Sequence, residues 1–180
     1  MEHKLKTISS SGITEALSKA QLYRSLNEPE ESESICQDIL AADSENQPAL
    51  RLLGLSITDQ FTGDVTDRYA EVEAIFQRLS APYAQHYYLG ILAERRAKAQ
   101  MRAGRPSYLV EGLIEQAMCQ FEEAEKIRPA ANEEAILRWN RCVRLLNKLP
   151  HREAVEPTSA LEDHDTAPVS SRPHPAGTRR

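Results

Sequence analysis

Two rows of cations are the residues best placed to do chemistry. Arg95, Lys98, Arg102 and Arg105 recur at helical spacing, as do Arg138, Arg141, Arg144 and Lys148. Residues three and four apart share a helix face. Each row therefore presents guanidinium and ammonium donors together, the chemistry that holds a carboxylate, a phosphoryl group or a nucleic-acid backbone. Both rows also occupy the C-terminal halves of their helices, where cations suit the helix dipole. Convergence of the two rows in space would turn a solvated face into a candidate anionic-ligand site. The 16 Arg against 6 Lys fit either a demand for forked contacts or a base-composition bias.

Catalytic chemistry has little to stand on. The five histidines are His3, His86 and three in or bordering the C-terminal tail. His86, beside Tyr87, is the single candidate general base, and no Ser, Cys or carboxylate stands at a recognised companion spacing. The reading is therefore not an enzyme. Cys36, Cys119 and Cys142 are odd in number and far apart, without a C-x-x-C pair, which suits reduced thiols. Glu162-Asp163-His164-Asp165 is a charge run in a polar tail and is read as solvated. Neither metal nor cofactor is expected.

A formal charge of -5 gives no overall positive field to attract nucleic acid or anionic lipid, so any anion-binding surface must be local. The first residues lack the apolar core of a secretory signal, and no stretch approaches a membrane span. A cytoplasmic protein is the expectation.

Positioning these residues falls to helices. From Ile13 to about Leu149, amphipathic segments alternate with Gly, Pro, Asn and Asp, without the period-two alternation of strands. Seven helices are predicted, at about 14–26, 30–42, 47–60, 65–80, 83–103, 107–127 and 133–149. Thr14 and Asn132 are read as N-caps of the first and last. Val65, Tyr69, Val72, Phe76 and Leu79 mark the face of the fourth, after a turn at Thr62-Gly63-Asp64. Gly104-Arg105-Pro106 ends the fifth. The fold class is all-α, with residues 1–12 flexible, a helical domain over 13–149 and a Pro-rich tail over 150–180 that is expected to be disordered.

The helices pair as three hairpins and a closing helix, and the hairpins share a register. Ala117, Phe121, Ala124 and Pro129 place a small residue, an aromatic, a small residue and a proline along one second helix. Leu53-Gly54 recurs 36 residues later as Leu89-Gly90 in first helices. In the first hairpin Ala20 and Tyr23 take the small and aromatic positions, followed by Ser32 and Cys36. This pattern resembles the tetratricopeptide repeat, a helical-hairpin solenoid. Glycine inside a helix costs about 0.5 to 1 kcal/mol relative to Ala, so Gly54 and Gly90 imply a neighbouring helix crossing too closely for a side chain. The pattern departs from the 34-residue repeat in the third hairpin, whose first helix spans about 21 residues and whose connection through Arg105 to Ser107 reads as lengthened. Trp139 stands where Gly54 and Gly90 stand, which would stop the array.

The resemblance implies a non-catalytic interaction module that holds a peptide or helix of another protein in a groove lined by first helices. That groove would contain Leu17, Gln21, Arg24, Arg51, Leu52, Leu55, Tyr87, Tyr88, Ile91 and Arg95; for Leu52 and Tyr87, packing inside the core is an equal alternative. The five positions with which some members clamp acidic chaperone tails read Leu17, Gln21, Leu52, Ala84 and Tyr88, so that clamp is absent. Two alternatives stand beside the adaptor: a self-associating structural subunit, and an RNA or phosphopeptide binder acting through the Arg-rich faces.

Overall fold

The computed structural model describes residues 3–64 and 66–150. Among these the regular structure is entirely helical, as the periodicity requires. A 3-10 turn at Ser10–Gly12 leads into α1 (Ile13–Ser25), α2 (Pro29–Ala42), α3 (Gln47–Asp59), α4 (Tyr69–Gln77), α5 (Pro82–Arg102), α6 (Ser107–Lys126) and α7 (Glu134–Leu146). The expected tail and its acidic run from Glu162 lie outside the described residues. No helix among the described residues is long and apolar enough to cross a membrane.

Local chemistry explains most boundaries and corrects several expectations. Prolines at the starts of α2, α3 and α5 have no N–H to leave unpaired and a φ already suited to a helix. Thr14 does not cap α1: the 3-10 turn runs straight into it, Gly12 holds the cap position, and the Thr14 carbonyl accepts from Ser18 Oγ. Asn132 acts one residue earlier than expected. Glu133 holds the cap position of α7, while Asn132 Oδ1 accepts the Glu134 N–H at 2.9 Å and the Tyr83 hydroxyl at 3.1 Å.

The fourth helix is shorter than its apolar pattern, and Val65 lies outside the described residues. The Asp67 carboxylate accepts the Thr62 and Gly63 N–H groups at 3.0 and 2.9 Å, holding this stretch as a loop until Tyr69. Leu79 lies past the helix end yet is buried. Conversely, the α5–α6 connection is not lengthened. It spans residues 103–106, with Gly104 in the left-handed region at φ 68°, whereas residues 60–68 separate α3 from α4. The helices of the third hairpin are long instead.

Each helix packs on its neighbour in the chain, and α1 also touches α3, as α3 touches α5. The closest crossings fall at the two helical glycines. A methyl group on Gly54 would lie 2.2 Å from Cε1 of Phe76, and one on Gly90 would lie 2.6 Å from Cε1 of Phe121. Both rings are wholly buried. Glycine is the residue that lets these helices approach.

The core has two parts. One gathers Ala20, Cys36, Leu50, Leu53, Val72 and Phe76; the other gathers Ile91, Ile114, Ala117, Phe121, Ala135 and Cys142. An aromatic chain joins them: Phe76 to Tyr88 at 5.3 Å between centroids, Tyr88 to Tyr87 at 5.2 Å edge-on, and Tyr87 to Phe121 at 6.0 Å. Such pairs add about 0.5 to 1.5 kcal/mol beyond area burial.

Candidate functional site

The helical period brings Leu17, Gln21 and Arg24 to one face of α1, and Pro48, Arg51, Leu52 and Leu55 to one face of α3. With Tyr88 of α5 these residues line a cleft of about 230 Å³. Leu17, Gln21, Arg24, Arg51, Leu52, Leu55 and Tyr88 were expected here from the sequence, and the structure brings them together. Pro48 was not foreseen.

Three expected groove residues lie elsewhere. Tyr87 and Ile91 are 8% and 3% exposed and belong to the second core. The turn of α5 that carries them faces Phe121, across from Gly90. Arg95 does not line the cleft. It donates to the Leu55 carbonyl at 3.0 Å, to Thr58 Oγ1 at 2.6 Å and to Asp59. Burial holds its guanidinium below the ordinary value, against the pull of Asp59. Arg24 Nε meets the other oxygen of Asp59 at 2.7 Å. One carboxylate on α3 thus ties α1 and α5 to the middle helix, and part of the rim's positive charge is already spent. Arg51 is exposed and has no ion pair among the described residues.

A second cleft, of about 320 Å³, lies between α5 and α7. Tyr87, Lys98, Glu134, Leu137, Arg138 and Arg141 line it. Beneath it Glu94 is wholly buried, bonded to Lys98 one turn along α5 and to Arg138 of α7 at 3.3 Å. A buried carboxylate needs such partners, because an unpaired charge in a low-dielectric interior costs several kcal/mol, on the order of 3 to 5. Burial raises the Tyr87 hydroxyl above its usual range, opposed by a hydrogen bond with Arg138.

The two cation rows therefore converge only in part. Lys98, Arg138 and Arg141 meet at this cleft. Arg102 and Arg144 are exposed, Arg105 lies 3.8 Å from Asp64, and Lys148 lines a separate depression with Met101, Gly104, Arg105 and Leu149. His86 donates through Nδ1–H to Gln120 Oε1 at 2.9 Å. Cys36 and Cys142 are free and buried, and burial pushes both thiols up to about 12.

Two acidic residues were missed, and each carried a signal. Asp59 ends α3, where the helix dipole disfavours an anion and cations must compensate it. Glu94 stands four residues before Lys98, a helical ion-pair spacing, but its burial depends on where α7 packs.

No protein-family model matches the chain, and neither a curated protein nor a solved structure matches it.

Proposed function

We propose that this protein is a non-catalytic binding module, a tetratricopeptide-like stack of helical hairpins that holds a segment of another protein in the cleft between α1, α3 and α5. The observation that carries this reading is the lining of that cleft. Leu17, Leu52, Leu55 and Tyr88 form an apolar and aromatic floor contributed by three helices, and Arg24 and Arg51 stand beside it. Aromatic and Arg residues are the usual anchors of recognition surfaces. The solenoid reading draws support from the glycine–phenylalanine crossings, which recur with the 36-residue spacing of Gly54 and Gly90. It draws further support from the contacts of alternate helices, α1 with α3 and α3 with α5.

The partner offers an apolar side chain to the floor and a carboxylate to Arg51. The Arg24–Asp59–Arg95 cluster keeps the three lining helices in register, so the cleft is formed before the partner arrives and less ordering entropy is lost on binding.

The test is a pair of substitutions at the cleft's edge, where Arg51 is exposed and Leu55 is only partly buried, at the margin of the second core. Tyr88 packs on Phe76 and Tyr87, so replacing it would disturb both core regions. Leu55→Asn combined with Arg51→Ala is the better choice. A partner is first identified by affinity capture and mass spectrometry, and its affinity is then measured by calorimetry. The double variant is expected to bind at least about 30-fold more weakly, as loss of one apolar anchor and one charged contact implies. Its helicity should be unchanged. Wild-type affinity in a folded double variant would exclude this cleft.

A further inference from the structure

We infer that the cleft between α5 and α7 is a second recognition site, which takes one carboxylate of a partner polypeptide, an Asp or Glu side chain whose apolar neighbour lies on Leu137. The inference rests on the reading of this protein as a binder of polypeptides, but not on what fills the first cleft.

Three observations support it. The first is preorganisation. Glu94, with no exposed surface, holds Lys98 of α5 and Arg138 of α7 from below. The two cations keep spare donors at the cleft, and with their rotamers already restricted they lose little entropy when a ligand arrives. The second is an unused guanidinium. Arg141 lines the same cleft, is exposed and has no ion pair among the described residues. Its forked N–H groups suit a carboxylate.

The third observation is charge balance, which selects the ligand. Lys98, Arg138 and Arg141 meet Glu94 and Glu134 around this cleft, so one positive charge is left over. A carboxylate carries one negative charge and neutralises it. A phosphoryl group carries about 1.5 to 2 and would leave the cleft negative, as would a run of nucleotides. Leu137 is 65% exposed at the same edge, an apolar contact for the residue beside the acid.

The experiment is an NMR titration of the labelled full chain, followed through the Arg Nε–H signals. The probes are the blocked peptide acetyl-Leu-Asp-Leu-amide, its Asn counterpart, inorganic phosphate and a short oligouridylate. The Asp peptide is expected to shift the Arg138 and Arg141 signals saturably, with an affinity about tenfold above that of the Asn peptide. Arg141→Gln is expected to weaken the Asp peptide about five- to tenfold at an unchanged melting temperature. Methyl signals of Leu52 and Leu55 report the first cleft in the same titration, so success or failure there is read separately. Equal binding of the Asp and Asn peptides, or no saturable shift with either, overturns the proposal. Tighter binding of phosphate or oligouridylate at these signals overturns it in favour of a phosphoryl site.

Discussion

The hairpins α3–α4 and α5–α6 use one device at two lengths. In each, a glycine on the first helix lies beneath a wholly buried phenylalanine on the second. Yet α3 runs five residues past Gly54 while α5 runs twelve past Gly90, and α4 has seven residues before Phe76 while α6 has fourteen before Phe121. Both arms of the longer hairpin have grown by the same seven residues. Seven residues make two helical turns less about 20°, so each added stretch, about 10 Å long, keeps nearly the same face inward. The added turns of α5 carry Ala97 and Ala99 into the core and place Lys98 on the α7 side. The shorter hairpin has no such extension. There, a single carboxylate at the end of α3 holds its neighbours, and the only charged side chains lining the cleft, among the described residues, are Arg24 and Arg51. The crossing builds the fold, and the length beyond it determines which charges a cleft receives.

The comparison is tested most severely at the phenylalanines. Phe76→Ala and Phe121→Ala each remove a fully buried ring and are expected to cost about 3 to 5 kcal/mol in urea denaturation of the full chain. If the crossings are equivalent, the two costs should agree more closely than the spread of about 2 kcal/mol that local relaxation gives between unlike buried sites. A loss below about 1 kcal/mol at either site would mean that the ring is not holding its crossing.

Smaller effects are expected at the glycines. Alanine gains up to about 1 kcal/mol of helix propensity, but its methyl would press against a fully buried ring, an overpacking cost of about 1 to 3 kcal/mol. Destabilisation should win at both sites, and more at Gly54, where the approach is 2.2 Å against 2.6 Å at Gly90. Adding Phe76→Leu to Gly54→Ala should recover part of the loss in a double-mutant cycle. Additive losses would deny that the two residues touch.

Most of this architecture is legible in the chain because helical period, proline starts and Gly-x-Pro stops are local signals. The close crossings are legible too, since an unforced glycine inside a helix needs a packing reason. The α3–α4 loop was not, because its apolar residues keep helical spacing while Asp67 holds Thr62 and Gly63 in a turn instead. Side-chain fates on one helix were harder still. Tyr87 and Tyr88 are adjacent aromatics, yet the first is buried in the second core at the edge of the α5–α7 cleft and the other lines the cleft of α1, α3 and α5; the turn of α5 that meets Phe121 decides which. The pairing of Lys98 and Arg138 through Glu94 depends on where α7 lands, which no spacing within α5 encodes.

The finest test separates the two ion clusters, each a carboxylate between two cations. Asp59 is partly exposed, as are Arg24 and Arg95, so water screens the attraction and replaces much of what is lost when the charge is removed. Glu94 has no exposed surface, and its oxygens have only Lys98 and Arg138 to satisfy them. Glu94→Gln keeps the shape and removes the charge. Hydrogen bonds to a charged group contribute about 1.5 to 3 kcal/mol, and the two cations, each exposed at one end, regain part of this from water. A loss of about 1 to 2 kcal/mol is therefore expected at Glu94, against less than about 1 kcal/mol for Asp59→Asn. Salt sharpens the contrast. Raising ionic strength to about 1 M, where the screening length falls to about 3 Å, should shrink the Asp59 effect and leave the Glu94 effect nearly intact. Equal losses with equal salt dependence would show that Glu94 is solvated, and with it would go the claim that the α5–α7 cleft is held from below.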